Sequence, residues 1–421
     1  MTFESFSEAH NMVLGLTFII ALIMGAVVNK TNFCTMGAVS DLVNIGDTGR
    51  MRAWIFAMAI AIIGIILLES FDILNVDASR PPYRRSNFSW IEFMIGGFMF
   101  GVGMTLGSGC GNKTLVRIGG GNIKSIMVLL MISTCAYFML NPFPGSDKTL
   151  YSELFYGWTN PLSVSLSTNQ DIGALLGGFA DIDPVTIRLV LGGLIAVGLL
   201  IFALKSTDFR GSFDNVLGGT VVGVAVLAAW FVTASLVTIN VEDELNSWTE
   251  YASDDVWSMF EESDRPRDVG VQSFTFVNPM GQLMRYAVND FDKNYLTFGV
   301  VAVFGVIFGS FLWSIIRRKF RIEWFASGGD FLNHFIGGIL MGIGGILALG
   351  CTIGQAVTGV STLALGSFIA FGAIVFGSAL TMKIQYYKMV YEDEATFMKA
   401  FLSSMVDMRL LPSGLRKLDA V

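Results

Sequence analysis

Charge is scarce in this chain: 14% of its 421 residues are Asp, Glu, Lys or Arg, against about a quarter in an ordinary soluble protein. Histidine is scarcer, with His10 and His334 the only two. Four cysteines occur, Cys34, Cys110, Cys135 and Cys351, and no two form a CxxC pair. A zinc site or dithiol redox centre of the usual spacing is therefore excluded. No GxxxxGK[ST] loop is present for nucleotide hydrolysis, and no haem- or quinone-ligand pattern for electron transfer. Neither a cofactor nor a metal is expected. A basic patch with interleaved aromatics is missing too, which removes nucleic acid as a partner. The first 30 residues lack a basic stretch and a small-residue cleavage site, and Glu4 and Glu8 precede the first apolar run. That run is expected to be retained as a span.

What the chain has in abundance is apolar sequence, 53% of all positions, gathered into blocks of about 20, the length that crosses a bilayer as a helix. The fold class expected is an all-α integral membrane protein. Nine spans are read at 11–29, 53–71, 91–107, 122–141, 185–204, 214–240, 295–316, 331–349 and 361–383. Three shorter fragments, 35–45, 111–121 and 172–180, contain glycine and are too short to span. The first two follow a cysteine and read as re-entrant helices. Arg317, Arg318, Lys319 and Arg321, and in the tail Arg409, Arg416 and Lys417, place segments 317–330 and 384–421 on the cytoplasmic side.

The segment 241–294, with Glu242, Asp243, Glu244, Asp254, Asp255, Glu261, Glu262 and Asp264, falls outside, as does the N-terminus. One loop runs against this orientation: 72–90 lies outside yet carries Arg80, Arg84 and Arg85. Two insertions, 142–184 and 241–294, look soluble. In the second, Trp248, Tyr251, Trp257 and Phe260 recur at helical spacing and predict an amphipathic segment on the membrane surface. Phe397, Phe401, Met405 and Met408 predict a short amphipathic helix in the tail. Glu69 and Asp72 sit near a span end, where an interfacial position is expected, and no buried carboxylate pair marks an ion route.

Residues 95–110, IGGFMFGVGMTLGSGC, and 336–351, IGGILMGIGGILALGC, agree at 8 of 16 positions, with two of the four cysteines in register. The motifs lie five spans apart and so cross the membrane in opposite directions. This is an inverted repeat, an architecture that puts the solute site where the halves meet. The halves are 1–204 and 205–383, the second interrupted by 241–294 and followed by the tail 384–421. Gly97/Gly101 and Gly338/Gly342 form GxxxG pairs that allow close helix approach.

Beyond Cys110 the chain continues GNKTLVRIGGGNIKS, where helical spacing puts Lys113 and Arg117 on the cysteine's face. Cations there need a polar path, and a thiol with two cations describes a pocket for a sulfur-bearing anion. After Cys351 comes TIGQAVTG, which places Gln355 and Thr358 at the fourth and seventh following positions and replaces cations by neutral groups. Such neutral groups suit a waypoint that an anion must also leave. Cys135, in the middle of a span, reads as a small apolar packing residue.

NKTNFCTMGAVSD, GSGCGNKTLVRIGGGNIKS and LGCTIGQAVTGVSTLALGS together resemble the YeeE/YedE family of sulfur-transport membrane proteins, over roughly 12–140 and 295–383. The resemblance implies an hourglass of helices in a prokaryotic inner membrane, importing thiosulfate or a related small sulfur anion. It implies Cys34, Cys110 and Cys351 as successive contacts along a narrow path, and a small cytoplasmic sulfur-carrier protein as partner. The competing readings are transport of another sulfur or selenium species, a membrane thiol or persulfide relay enzyme, a soft-metal channel, and a non-transporting scaffold.

Overall fold

A computed structural model describes residues 1–241, 244–253, 257 and 265–419. Glu242, Asp243, Asp254, Asp255, Phe260, Glu261, Glu262 and Asp264, expected in the outer insertion, lie outside the described residues. Among those described, nine helical stretches are long and apolar enough to cross a membrane. The protein is an all-α, multi-pass membrane protein. Its long helices are α1 (Phe6–Thr31), α3 (Gly49–Ser70), α4 (Trp90–Leu106), α6 (Ile123–Leu140), α8 (Pro184–Leu204), α9 (Phe213–Phe231), α11 (Phe298–Ile316), α12 (Gly328–Leu347) and α13 (Leu365–Tyr391). Between them lie short helices: α2 (Thr35–Ser40), which runs on as a π-turn over Asp41–Ile45, α5 (Gly111–Gly119), α7 (Ile172–Ala180) and α10 (Val277–Val288). A π-helical segment, Ile353–Gly359, occupies the corresponding place after α12, and α14 (Phe397–Asp407) forms the tail helix.

The two repeat motifs are α4 and α12, and they pack antiparallel on each other. A Cβ on Gly96 would fall 2.7 Å from the Gly344 carbonyl oxygen, and one on Gly103 2.7 Å from that of Gly337. Gly96 stands in the first motif where Gly337 stands in the second, and Gly103 where Gly344 stands. Each contact is thus the other with the copies exchanged, the signature of a twofold relation. The outer faces repeat it: Gly97 and Gly101 seat α4 on α13 at Ala370 and Ile374, while Gly338 and Gly342 seat α12 on α6 at Val128 and Ile132. The same exchange pairs α1 with α11 and α9 with α3. Gly96→Val would drive methyl groups into the backbone of α12, since even the Cβ would lie 2.6 Å from the Ala348 nitrogen. Loss of the monodisperse detergent-solubilised peak in size exclusion is expected, whereas Gly15→Ala, with nothing within 4 Å of its Cβ, should elute like the parent.

Among the described residues, the named strands form two small patches. β1 (Thr2–Phe3) pairs in parallel with β4 (Thr238–Val241), which turns back into β5 (Glu244–Ser247); β2 (Asn87–Phe88) pairs antiparallel with β3 (Val164–Ser165). The first patch corrects two expectations. The span read to residue 240 ends in a π-turn at Leu236, where the chain becomes extended. The described aromatics of the insertion do not form an open face free to lie on a membrane. Trp248, Tyr251 and Trp257 are buried against Phe6 and Ala9 of α1, with Phe6 stacked on Tyr251 at 5.3 Å and His10 on Trp248 at 5.7 Å. The hairpin brings them there because it is zipped to the N-terminal strand. The tail helix forms as read, with Phe397 and Phe401 stacked on its exposed side.

Glu69 is also corrected. It is buried, together with Arg84, Asp171 and Arg188, in an ionic cluster that Asp77 joins from the rim. The three arginines of loop 72–90, which disagreed with the expected orientation, each face a carboxylate: Arg80 faces Asp268 at 3.9 Å, Arg84 Asp77 at 2.9 Å, and Arg85 Glu92 at 3.6 Å.

Candidate anion path

α4 and α12 end in the same way. Ser108 and Leu349, at equivalent positions, take left-handed φ values of 58° and 57°. Gly109 N–H donates to the Met104 carbonyl at 2.9 Å and Gly350 N–H to that of Gly345 at 2.7 Å. This is a Schellman stop, and each is followed by the motif's cysteine. The chain then reverses, with Cys110 capping α5 and Cys351 preceding the π-helical segment. Cys34 stands at a comparable break, after Asn32 with φ 52° and before α2. A fourth break carries no cysteine: Phe276 precedes α10.

These breaks converge. All three cysteines are at most 4% exposed. The Cys34 and Cys110 thiols face each other, and the Thr352 side chain faces Cys110. A Cβ on Gly111 would lie 3.8 Å from that of Cys351 and 3.7 Å from that of Phe276. The backbone N–H groups of Gly354, Phe276 and Ile353 and the side chain of Thr275 face the Cys351 sulfur. Cys135 is elsewhere, on α6, its Cβ against Gly342.

Of the other residues read from sequence, Lys113 donates from Nζ to Asn32 Oδ1 at 2.5 Å, and its charge and that of Arg117 act on Cys34. Both line a cavity of about 660 Å³ with Asn29, Arg318, Lys319 and Arg321. Gln355 and Thr358 sit on a π-helix rather than an α-helix, so their spacing from Cys351 does not produce a common α-helical face. Gln355 Nε2 donates to the Ala348 carbonyl, and Thr358 Oγ1 to that of Phe274 at 2.6 Å. Thr358 thus braces the break at Cys351 against the one before α10, while Gln355 ties its segment back to the end of α12.

On the opposite side, two cavities share Arg80 and Asp268. One, about 550 Å³, is lined also by Arg265, Arg267 and Arg285. The other, about 460 Å³, reaches Gly345 and Leu349, two residues short of Cys351. Asp268 accepts from Arg285. Arg285 is held below its ordinary pKa by burial, yet it remains a cation at any neutral pH.

Reading the sequence missed Thr35, Asn112, Thr275 and Thr352, whose side-chain oxygens are buried at the breaks without a partner. The signal available was a Cys-Thr pair at 34–35 and again at 351–352.

A family model described as "Sulphur transport" matches residues 30–380. Two relatives carry the name "Thiosulfate transporter TsuA". That of Escherichia coli K12 is 24% identical over 358 residues, covering 84% of this chain and 90% of the relative. That of Spirochaeta thermophila is 23% identical over 366 residues, covering 86% of this chain and 95% of the relative.

Proposed function

Because the chain belongs to the sulphur-transport family, we propose that it imports thiosulfate across a prokaryotic inner membrane, along a path lined in turn by Cys351, Cys110 and Cys34. One observation carries this reading: three cysteines far apart in sequence stand at three chain breaks that meet, with the Cys34 and Cys110 thiols facing each other. The arginine-lined cavities at Arg80, Arg267 and Arg285 form the outer mouth. The cavity of Lys113, Arg117, Arg318 and Lys319 is the inner one. Cations at both ends attract a dianion, while the thiols between them hold it weakly enough to pass it on. Gln355 and Thr358 keep the segment behind Cys351 in place.

The two halves, 1–204 and 205–383, supply one repeat motif each, and the tail 384–421 is cytoplasmic. A small cytoplasmic sulfur-carrier protein is the proposed acceptor at the inner cavity. No bond is made or broken in this reading, so the protein acts as a transporter and not an enzyme.

Expression in a bacterium lacking its own thiosulfate importers, with limiting thiosulfate as sulfur source, tests the proposal. Growth is expected from the parent, and equally from Cys135→Ala, because that thiol only fills space beside Gly342. Absence of growth with the parent present in the membrane, even with the carrier protein co-expressed, would count against thiosulfate as the solute. Slow growth of Cys135→Ala at parental protein levels would show that the path has been drawn through the wrong residues. A persulfide relay, the reading that the Cys34–Cys110 contact also favours, predicts instead a covalent sulfur adduct in the intact-protein mass after exposure to thiosulfate.

A further inference from the structure

Twelve threonines are buried among the described residues. Nine of them hydrogen-bond through the hydroxyl: Thr17, Thr31, Thr105, Thr114, Thr159, Thr233, Thr297, Thr358 and Thr362. The three that do not are Thr35, Thr275 and Thr352. They are 0%, 5% and 0% exposed, and all three belong to the converging breaks. Thr35 follows Cys34, Thr352 follows Cys351 and faces Cys110, and Thr275 faces Cys351.

The geometry explains why these hydroxyls are spare. A threonine inside a helix satisfies itself on the carbonyl of the preceding turn, as Thr31 does on Val27 and Thr105 on Gly101. Thr35 and Thr352 open their helical segments, so no preceding turn exists. Thr275 is in the non-helical approach to α10, and glycines at 350 and 354 leave room for its side chain. A Cβ on Gly354 would lie 2.4 Å from Thr275 Oγ1, and one on Gly350 3.4 Å from it. Burying a hydroxyl without a partner is unfavourable, and three such groups gathered at one place call for an acceptor that arrives from outside.

We propose that Thr35, Thr275 and Thr352 are specificity-determining residues that donate hydrogen bonds to the oxygens of the passing oxyanion, while the cysteines contact its terminal sulfur. This deepens the transport reading above and rests on it. Thiosulfate has two chemically distinct ends, three oxygens that accept well from O–H and one soft sulfur. The path alternates the two matching donors, with thiols at 34, 110 and 351 and hydroxyls at 35, 275 and 352. An anion without oxygens would leave the hydroxyls unpaired, and one without a terminal sulfur would leave the thiols unpaired. Rejection through unpaired site groups is the stronger form of discrimination.

The test uses the purified full chain in liposomes with ³⁵S-thiosulfate, comparing the parent with Thr275→Val, Thr352→Val and the corresponding serine variants. Valine keeps the shape and removes the donor. Each valine variant is expected to raise KM by about tenfold, the worth of one hydrogen bond to a charged partner, and each serine variant to restore it. Melting in detergent without thiosulfate supplies a readout that a structural role would not give. Removing an unsatisfied hydroxyl should hold or raise the melting temperature and reduce the increase that a given concentration of thiosulfate produces in the parent. Unchanged KM in folded valine variants overturns the role of the hydroxyls while leaving transport intact. Valine variants that melt lower, with serine restoring the parental value, would assign the hydroxyls to structure. A parent that does not take up thiosulfate at all would overturn both readings.

Discussion

Cys110→Ala is expected to lower the initial rate of thiosulfate uptake by about 100-fold at equal protein in the membrane. Cys110 stands between the other two sulfurs: its thiol faces that of Cys34, and a Cβ on the adjoining Gly111 would lie 3.8 Å from that of Cys351. An anion passing from Cys351 to Cys34 meets it at both transfers. One hydrogen bond to a charged group contributes about 1.5–3 kcal/mol, or about 10- to 100-fold, and the loss here falls on two successive contacts. Folding should survive, because the deleted sulfur atom leaves only a small cavity, of order 1 kcal/mol. A melting curve in detergent verifies that. Cys34→Ala and Cys351→Ala should fall in the same direction. Wild-type uptake by folded Cys110→Ala would remove the thiols from the path.

Arg84→Met is expected to produce the largest loss of stability. The Arg84 guanidinium is fully buried, donating to Glu69 Oε2 at 3.0 Å, Asp77 Oδ1 at 2.9 Å and the Thr362 carbonyl at 2.9 Å. Arg188 completes the cluster on Asp171 at 2.8 Å. Without Arg84, three carboxylates face a single arginine. Breaking a buried pair by removing one partner costs about 3–5 kcal/mol, which corresponds to a fall in melting temperature of order 10 °C. Lysine should not rescue the variant, since one ammonium cannot reach three acceptors as the planar fork does.

Uptake should fall as well, because the Thr362 carbonyl ends the segment that begins at Cys351. That segment is held a second time by the Ile172 N–H to Leu363 carbonyl bond at 3.1 Å. The cluster also has a pH sign. Burial alone would raise the Asp171 pKa, but the hydrogen bond from Arg188 and the charge of Arg84 outweigh it and hold it below 3.8. A depressed carboxylate contributes stability above its ordinary value and loses it as the pH falls through its folded one. The contribution of Asp171 is therefore complete at neutral pH and disappears only below about pH 4.

The membrane fold was legible because its signals are local: 20-residue apolar runs, glycine spacing and basic loops each act within one element. The repeat was legible because Gly96, Gly103, Gly337 and Gly344 must be small for α4 and α12 to touch at the backbone, and that requirement is written twice. Cys34, Cys110 and Cys351 stood out by rarity. What escaped the sequence was whatever depends on contacts between distant segments. The fourth break at Phe276 has no cysteine to mark it, and Pro279, Gln282 and Arg285 make its helix resemble surface loop. Glu69 reads as interfacial until Arg84 and Arg188, 15 and 119 positions away in sequence, are seen against it. Trp248 and Tyr251 read as membrane-surface aromatics because nothing in their own segment announces the strand at Thr2–Phe3. Thr275 and Thr352 were silent because an unpaired hydroxyl is a property of its surroundings.

The most direct test of the central claim is influx of ³⁵S-thiosulfate into liposomes holding the purified protein alone, with Cys34→Ala, Cys110→Ala, Cys351→Ala and Cys135→Ala measured beside the parent. The path described here predicts saturable influx in the parent and in Cys135→Ala, and influx near that of empty liposomes in the other three. Equal influx in all five preparations, or none in the parent, would contradict it.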